Sequence, residues 1–397
     1  MRVADLIPEI IERITRDRVS ELLKSLIPFQ SVNPPGAEAE IAQYVAGILR
    51  AAKLEVRVED VQPGRPNVIA ILEGARPGPT LILNSHMDVV PVGSGWTSDP
   101  FIPLEKDGRI YGRGSADAKG PLAGMIVAVE TLAALRAELS GRIVLTAVMD
   151  EESGGSGTRA LVRTLTANMA IVGEPTGCRL CIAHKGAARV ELVVRGKSAH
   201  SAEPDAGINA IEGAARVIAA IGEYHGRLMA RRHPLVGPPT AVITLIKGGI
   251  KSNMIPDRCE MNLSRRMIPG ESEELVAAEL EALFRPLREG QPPIDIAIDR
   301  FVPTSGGPSE TPETEPFVGL ARRAASRVPG APEGVHGFGL NCDMAQLRGT
   351  AGIPSLILGP GATKIAHQAD EYVPTVELET AARMYACIAA EALVRAR

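Results

Sequence analysis

Residues 81–91 read LILNSHMDVVP, an apolar run that ends in a histidine and an aspartate. An apolar stretch of four to eight residues followed by polar side chains is typical of a buried strand that delivers those side chains to its carboxyl end. Ligands of open α/β sheets bind just beyond the carboxyl ends of the strands. The run therefore predicts an α/β fold with a site that includes His86.

Four further stretches carry acidic or imidazole side chains after an apolar run or in a glycine-rich loop. Strand ends that meet at one sheet edge would bring them together although they lie far apart in sequence. Two imidazoles with several carboxylates suit a borderline divalent cation such as zinc, so the pattern predicts a metal-dependent hydrolase. The stretches are GRGSADAKG at 112–120, VLTAVMDEESGG at 144–155, MAIVGEPTG at 169–177 and GATKIAHQADEYV at 361–373.

The bulk composition fits a globular enzyme of two domains. The chain has 397 residues, of which 45% are hydrophobic, which is more than one average domain requires. Its formal charge of −4 is spread without long runs, and aromatic residues make up only 3%. A basic patch for nucleic acid or anionic lipid, and a base-stacking surface, are therefore not expected.

The first residues of the chain and its cysteines indicate the cellular compartment of the protein. Residues 1–14, MRVADLIPEIIERI, are amphipathic and carry acids, unlike the basic start and apolar core of a secretory signal. No stretch approaches the roughly 18–20 consecutive apolar residues that span a bilayer. Five cysteines are too few for a disulfide scaffold and cannot all pair. We therefore expect a cytoplasmic protein without a membrane or nucleic-acid partner.

Apolar periodicity predicts alternating helices and strands in the first half of the chain. The stretch PLAGMIVAVETLAAL at 121–135 has a proline in its first turn and is apolar on most faces, as expected of a helix buried against a sheet. Such alternation is typical of an α/β layer. Helices are predicted over 5–27 and 38–53, and strands over 54–60, 67–73, 80–85, 143–149 and 169–173.

The predicted order of helices and strands changes after Lys185. It becomes β-α-β-β-α-β, which is the order of the ferredoxin-like motif. A loop rich in Pro, Ser, Thr and Gly then leads back to α/β pattern. We predict a catalytic α/β domain with a mixed central sheet flanked by helices, at 1–184 and 300–397, and an inserted ferredoxin-like α+β lid domain at 185–299. The inserted elements are predicted at 187–195, 208–223, 240–247, 257–266, 271–287 and 293–299.

Considered alone, several motifs also fit other sites. His86 and Asp88 share one face of a strand, so the aspartate can hold the imidazole's second nitrogen, but a surface turn fits the same pair. The G-x-G at 112–114 lacks the last glycine of a dinucleotide fingerprint, and no phosphate-loop lysine follows. Cys178 and Cys181 form a C-x-x-C without a second pair, which fits buried thiols as well as a zinc or redox site.

Three consecutive carboxylates, Asp150, Glu151 and Glu152, repel one another unless cations or solvent screen them. A solvated turn is one account of this run. In a metal centre, one acid would be a ligand and its neighbour the base for the attacking water. Asp117 differs from these acids because the glycines around it permit an unusual backbone conformation that holds its carboxylate.

In order and spacing, the motifs together resemble the dinuclear zinc family of acetylornithine deacetylase, succinyl-diaminopimelate desuccinylase, aminoacylase and glutamate carboxypeptidase. The resemblance covers about residues 80–375. It implies that two zinc ions bind per chain, with Co²⁺ or Mn²⁺ as substitutes. The implied ligands are His86 and Glu174 for one ion, Glu152 and His367 for the other, and Asp117 as the bridge.

The resemblance also implies roles for residues that are not ligands. Asp88 would orient His86, and Glu151 would be the general base and acid. The stretch GKSAHSAEPDAGINAI at 196–211 resembles the family's lid segment, whose histidine, here His200, helps to polarise the scissile carbonyl. In dimeric members this histidine reaches the partner's active site, so a homodimer through the lid domain is implied.

A second lid segment, KSNMIPDRCEMNLSRRMIPGE at 251–271, resembles the family's next motif. It implies that Asn253 assists the transition state and that Arg266 holds the substrate's carboxylate. The family often has an aspartate two residues before that arginine, whereas this chain has Ser264 followed by Arg265. Which of the two arginines faces the substrate therefore stays open.

The implied activity is hydrolysis of the amide bond of a small N-acyl amino acid, by a water held between two zinc ions with Glu151 as base. Dipeptidase or carboxypeptidase activity is the alternative within the family. A noncatalytic metal-binding protein is the alternative from another class. A serine hydrolase is disfavoured because no G-x-S-x-G is present and SGGSG at 153–157 lacks the required spacing.

Overall fold

A computed structural model describes residues 3–394. Within them, one compact unit comprises the chain up to Ala183, Glu310–Phe338 and the chain from Cys342, and a second comprises His184–Ser309 with Gly339–Asn341. In this part of the chain no helix combines the length and apolar character needed to cross a membrane.

The helices and strands of the described chain are numbered in chain order. The α-helices are α1 (Val3–Arg13), α2 (Arg16–Leu26), α3 (Ala39–Ala51), α4 (Lys119–Ala134), α5 (Ser156–Leu161), α6 (Ala210–Leu228), α7 (Glu273–Glu289), α8 (Pro316–Ala325) and α9 (Thr375–Leu393). The strands are β1 (Glu55–Gln62), β2 (Arg65–Glu73), β3 (Arg76–His86), β4 (Leu104–Lys106), β5 (Arg109–Tyr111), β6 (Ser140–Val148), β7 (Met169–Gly173), β8 (Cys181–His184), β9 (Gly186–Arg195), β10 (Ala199–His200), β11 (Thr240–Gly248), β12 (Met254–Ile255), β13 (Arg258–Met267), β14 (Asp295–Val302), β15 (Ser309–Glu310), β16 (His336–Phe338), β17 (Ser355–Leu358) and β18 (Tyr372–Pro374).

The first unit is built on a mixed sheet in the order β1-β2-β6-β3-β7-β17-β8-β15, with β16 beside β8. The central strands β6, β3, β7 and β17 are parallel, while β1, β2 and β8 pair antiparallel with their neighbours. His86 is level with Val148 of β6, and Asn84 with Val172 of β7. The carboxyl ends of these strands therefore meet at one edge of the sheet.

Helix α4 forms much of the core of this unit. It packs on β3, β6 and α9, and most of its side chains are buried, which confirms the prediction for this apolar helix. Leu81 and Leu83 of β3 are fully buried as well. Burial of each such leucine stabilises the fold by about 1.5–3 kcal/mol.

One local prediction differs from the structure. Residues 5–27, predicted as helical, form the two helices α1 and α2, which are separated at Ile14 and Thr15. The hydroxyl of Thr15 accepts from the backbone N–H of Arg18 at 3.3 Å. Because threonine at an N-cap satisfies a free helix N–H, it favours a new helix start at this point.

The second unit has the predicted β-α-β-β-α-β order. Its antiparallel sheet, β11-β13-β9-β14, carries α6 and α7, and their apolar side chains form one core with those of the strands. A separate two-stranded sheet joins β10 to β12. The predicted fold class, an α/β domain with a mixed sheet and an inserted α+β domain, is confirmed. The role of the second unit as a lid stays a prediction.

Candidate metal centre

Several of the acidic and imidazole side chains singled out in the first unit lie at or just after the carboxyl ends of central strands of its sheet. His86 is the last residue of β3, and Glu174 comes directly after β7. Glu151 and Glu152 form the turn after β6, and Asp117 lies in the loop before α4. Parallel packing of these strands explains why residues distant in sequence share one sheet edge.

Asp117 lies between the two imidazoles. Its Oδ1 is 3.1 Å from His86 Nε2, and its Oδ2 is 3.4 Å from His367 Nε2. Each imidazole has a further carboxylate of its own: Glu174 Oε1 is 3.9 Å from His86 Nε2, and Glu152 Oε1 is 3.1 Å from His367 Nε2. The five side chains thus form two imidazole–carboxylate pairs around one shared carboxylate.

The donor set fits divalent cations. His86, Asp117 and Glu152 each offer a ligand atom, and these atoms all lie within 4.8 Å of one another. The buried Oε1 of Glu174 has no hydrogen-bond partner among the described residues, and a buried carboxylate oxygen without a partner is costly. Imidazole nitrogen and carboxylate oxygen are ligands that zinc accepts. The cluster is therefore a candidate metal site.

Asp88 connects the histidine to the turn that carries the two glutamates. His86 Nδ1 donates to the Asp88 carbonyl at 2.9 Å, which leaves Nε2 available as a ligand when the ring is neutral. The Asp88 carboxylate accepts from the backbone N–H of Glu151 at 3.2 Å and from that of Glu152 at 3.1 Å. One aspartate thus fixes both the imidazole and the turn.

Both imidazoles favour protonation when no cation neutralises the carboxylates. Burial acts to lower the pKa of His86, but hydrogen bonds to Asp117 and Asp88 outweigh it and raise that pKa well above its usual value. Hydrogen bonds to Asp117 and Glu152 raise the pKa of His367 to about 10. A bound cation would compete with these protons.

The glutamates of the centre are shifted upward. Burial and the negative charge of Asp117 raise the pKa of both Glu174 and Glu152 above the usual value. The shift is the larger one for Glu174, whose pKa lies well above that value. Burial also raises the pKa of Glu151 well above its usual range. Strongly shifted carboxyl groups gathered at a strand end indicate a functional site.

Sequence reasoning missed the support of the Asp117 loop. The buried carboxylate of Glu371 accepts from the backbone N–H groups of Gly114, Ala116 and Asp117 at 2.9–3.1 Å and pairs with Arg113 at 2.6 Å. Gly114 has φ +82°, and a Cβ there would lie 2.6 Å from a valine side chain. Because these partners lie over 250 positions apart, no local motif signals the contact.

In the second unit the structure brings His200 and Asn253 close together. Strands β10 and β12 pair there, and the N–H of Ser201 donates to the Asn253 carbonyl at 3.0 Å. His200 is exposed, and its Nδ1 accepts from the Ala202 N–H at 3.1 Å. In the neutral ring Nε2 therefore carries the proton and is a donor.

The two neighbouring arginines of β13 face opposite sides of the sheet. Arg265 is buried, with Nη2 at 2.8 Å from Glu271 Oε1 and Nε donating to the Tyr224 hydroxyl at 3.1 Å. Arg266, the next residue on the strand, lies on the other face. Arg265 is thus committed to a buried ion pair, which leaves Arg266 as the candidate for substrate binding.

The two cysteines of the C-x-x-C motif lie in the interior of the first unit. Cys178 and Cys181 are both buried and free. Burial raises the pKa of the Cys181 thiol to about 12, and that of Cys178 is raised as well. A thiolate that forms with difficulty disfavours a reactive cysteine, and neither residue belongs to a group of described side chains that could hold a metal ion, which favours the interpretation as buried thiols.

The fold and the centre define a class: a protein with a mixed α/β sheet and an inserted α+β unit, whose sheet edge gathers imidazoles and carboxylates able to hold metal ions. Residues 82–391 match the model of peptidase family M20/M25/M40. The chain belongs to this family, and is a hydrolase of the peptidase and deacetylase type.

Two relatives and one solved structure illustrate the similarity. Acetylornithine deacetylase of Myxococcus xanthus is 36% identical over 337 residues, 83% of this chain and 84% of the relative. N-formyl-4-amino-5-aminomethyl-2-methylpyrimidine deformylase of Bacillus subtilis is 30% identical over 398 residues, 91% of this chain and 92% of the relative. The aminopeptidase PepT from Bacillus cereus superimposes with a TM-score of 0.75 at 26% identity, covering 96% of this chain and 99% of that structure.

Proposed function

We propose that the chain is a metal-dependent amidohydrolase that removes the acyl group from an N-acyl amino acid. The observation that carries this proposal is the shared carboxylate of Asp117, which presents one oxygen to each of two imidazoles. A carboxylate with one oxygen toward each of two imidazoles could serve two neighbouring cations, one on each side. Two relatives at 30% identity or more are named for removal of an acyl group from nitrogen, which favours deacylation.

We assign the metal ligands as two sets around Asp117. His86 with Glu174 would hold one ion, and His367 with Glu152 the other, since each pair lies within 3.9 Å. Zinc is the proposed metal, with Co²⁺ or Mn²⁺ as substitutes, because the donors are nitrogen and oxygen. When bound, the metal pair supplies Lewis acidity and lowers the pKa of the attacking water.

Glu151 is the proposed general base and acid. It would accept a proton from the attacking water and pass it to the leaving nitrogen. Its backbone is fixed by Asp88, and burial gives its carboxyl a raised pKa, which suits a group that must both take and return a proton near neutral pH. Asp88 would act through His86 and the turn, as a positioning residue.

Three residues of the second unit complete the proposed machinery. His200, whose Nε2 carries a proton in the neutral ring, would donate to the developing oxyanion of the carbonyl. Asn253, which directly precedes β12 and whose carbonyl accepts from the Ser201 N–H, would assist the same transition state. Arg266 would bind the carboxylate of the amino-acid product, since its neighbour Arg265 is engaged with Glu271.

A panel of substrates tests the proposed function. We expect purified enzyme loaded with Zn²⁺ or Co²⁺ to hydrolyse N-acetyl, N-formyl and N-succinyl amino acids with higher kcat/KM than unblocked dipeptides. The aminopeptidase neighbour makes peptide hydrolysis the second candidate, and higher kcat/KM on dipeptides would favour it. Metal binding without turnover of any substrate would point instead to a noncatalytic metal-binding protein.

We also propose that the chain forms a homodimer through its second unit. Strand β11 is an edge strand, and its Val242, Leu245 and Ile246 are 50–57% exposed. An apolar edge strand favours pairing with another copy. If His200 acts in the partner's site, mixing inactive His200→Ala and Glu151→Gln chains restores activity in heterodimers that contain one complete site. Verified heterodimers without activity would exclude this arrangement.

A cytoplasmic location is part of the proposal. All five cysteines are buried and free, which suits a reducing compartment. Fractionation of the source cells would test it, and recovery of the protein outside the cytoplasm would contradict it.

A further inference from the structure

Asn33 lies between two buried carboxylates at the base of the turn that carries Glu151 and Glu152. Its Nδ2 donates to Asp88 Oδ2 at 2.8 Å and to Asp150 Oδ1 at 3.1 Å. Asn33, Asp88 and Asp150 are only 3%, 0% and 7% exposed. One amide nitrogen therefore uses both of its N–H groups on carboxylates that have little access to water.

Hydrogen bonds that do not involve the Asn33 side chain hold the segment around Asn33 in position. The N–H of Asn33 donates to the Val89 carbonyl at 2.9 Å, and the N–H of Val89 donates to the Ser31 carbonyl at 2.9 Å. The Ser31 hydroxyl donates to the Met87 carbonyl at 2.6 Å. The segment 31–33 is thus fixed alongside the residues that follow β3.

The turn itself begins in an uncommon conformation. Asp150 has φ +67°, a left-handed conformation that aspartate tolerates better than most side chains but that surrounding contacts must stabilise. Its Oδ2 accepts from the N–H of Ser156 at 3.3 Å and also from the hydroxyl of that serine. Its Oδ1 is the oxygen that Asn33 holds, so both oxygens of the carboxylate are engaged.

The partly buried guanidinium of Arg65 lies beside the turn and contributes positive charge there. Arg65 Nη2 is 3.5 Å from Asp150 Oδ1, and Arg65 Nε donates to Glu38 Oε2 at 2.9 Å. The guanidinium therefore serves two acids, and it does not contact Asp88. The donors around the Asp88 carboxylate are the Asn33 amide, the N–H groups of Glu151 and Glu152, and His86 Nδ1, which lies 3.5 Å from Oδ1.

We propose that Asn33 is a positioning residue that locks the turn presenting Glu151 and Glu152, through its two bonds to Asp88 and Asp150. The inference rests on the roles proposed for these two glutamates. Alanine at position 33 would leave each of the two aspartates short of one donor. Aspartate, nearly identical in shape, would place a third carboxylate against them and repel both.

The test compares Asn33→Ala, Asn33→Asp and Asn33→Ser with wild type. We expect hydrogen exchange of the amides at 149–155 to be faster in all three variants, most in Asn33→Asp and least in Asn33→Ser, which keeps one donor. Co²⁺ titration of the metal-free proteins should show affinity for at least one ion lowered about 10–100-fold, the usual effect of losing a group that orients a ligand. The value of kcat/KM should fall with it.

Asn168→Ala is a control for loss of an asparagine side-chain hydrogen bond elsewhere in the first unit, at an exposed position. Its side-chain oxygen accepts from the Thr80 N–H at 2.8 Å, near the end of β3 opposite to His86. We expect this variant to lose thermal stability without a change in exchange at 149–155 or in Co²⁺ affinity. The comparison separates the effect of losing any side-chain hydrogen bond from the effect of losing the bonds that Asn33 makes to Asp88 and Asp150.

Two results would overturn the inference. Unchanged exchange at 149–155 in the Asn33→Ala and Asn33→Ser proteins would show that the amide does not hold the turn. An Asn33→Asp protein that behaves as wild type would show that the side chain only fills space. If wild type itself binds no Co²⁺ and hydrolyses no substrate, the proposed function fails, yet the exchange measurement still decides the role of Asn33.

Discussion

Replacing Glu151 with glutamine is expected to lower kcat by a factor of about 10²–10⁴, the usual contribution of a positioned general base. The side chain is 9% exposed. Burial, opposed by the charge of His86 and reinforced by Asp343, raises the pKa of its carboxyl well above the usual range. Such a shift suits proton transfer near neutral pH. Glutamine keeps the shape of the side chain but cannot accept the proton.

The neighbouring residue provides the matched control for this prediction. Glu152 receives the same isosteric change in Glu152→Gln, but its Oε1 lies 3.1 Å from His367 Nε2, within the proposed ligand set. We therefore expect Glu152→Gln to lower metal occupancy, measured by elemental analysis, whereas Glu151→Gln keeps it. Equal loss of metal in both proteins, or full kcat in Glu151→Gln, would refute the division of roles.

The sequence predicted that His86, Glu151 and Glu174 lie at one edge of the sheet, because strand ends follow a simple local rule. His86, Glu151 and Glu174 each come at or just after the end of an apolar run, and β3, β6 and β7 are parallel neighbours. A buried parallel strand has to be apolar along its length, so the first polar residues mark its end. Helix α4 was predicted on other grounds, the proline in its first turn and the apolar side chains on most of its faces.

The supporting contacts could not be predicted because they join distant segments through single hydrogen bonds. Glu371 holds the Asp117 loop, and Asn33 bridges Asp88 and Asp150. None of these contacts has a periodicity or a spacing that a single sequence displays. A buried acid outside every motif, Asp343, was missed for the same reason; it accepts from the Thr158 hydroxyl at 2.7 Å, and burial raises its pKa to about 6.

The structure bears on the question, left open by the sequence, of whether Arg265 or Arg266 faces the substrate. A strand places successive side chains on opposite faces, so only one of Arg265 and Arg266 can face the core. The sequence does not say which face the core covers. In the structure Arg265 is buried beside Met261 and Leu263 in the strand's alternating pattern, and the ion pair with Glu271 compensates its charge.

Removal of divalent metal is expected to lower turnover at least about a thousand-fold, and addition of Zn²⁺ or Co²⁺ to restore it. Lewis-acid stabilisation is worth several kcal/mol, and about 1.4 kcal/mol corresponds to a factor of ten in rate. Elemental analysis of the active protein should find up to two ions per chain. Full turnover in protein shown to be free of metal would rule out the proposed mechanism.

The number of protons released on metal binding provides a second test of the metal site, and this test does not depend on turnover. Hydrogen bonds to Asp117 and Glu152 raise the pKa of His367 to about 10, and the pKa of His86 is also raised. These shifts favour protonated rings when no metal is bound. A ligand imidazole must be neutral, so binding of Zn²⁺ has to release these protons, and the apparent affinity has to rise with pH across the neutral range. Calorimetric titrations in buffers of different ionisation enthalpy count the protons released. His367→Ala is expected to reduce that number and to weaken Zn²⁺ binding, whereas an unchanged number together with unchanged Zn²⁺ affinity would exclude His367 as a ligand.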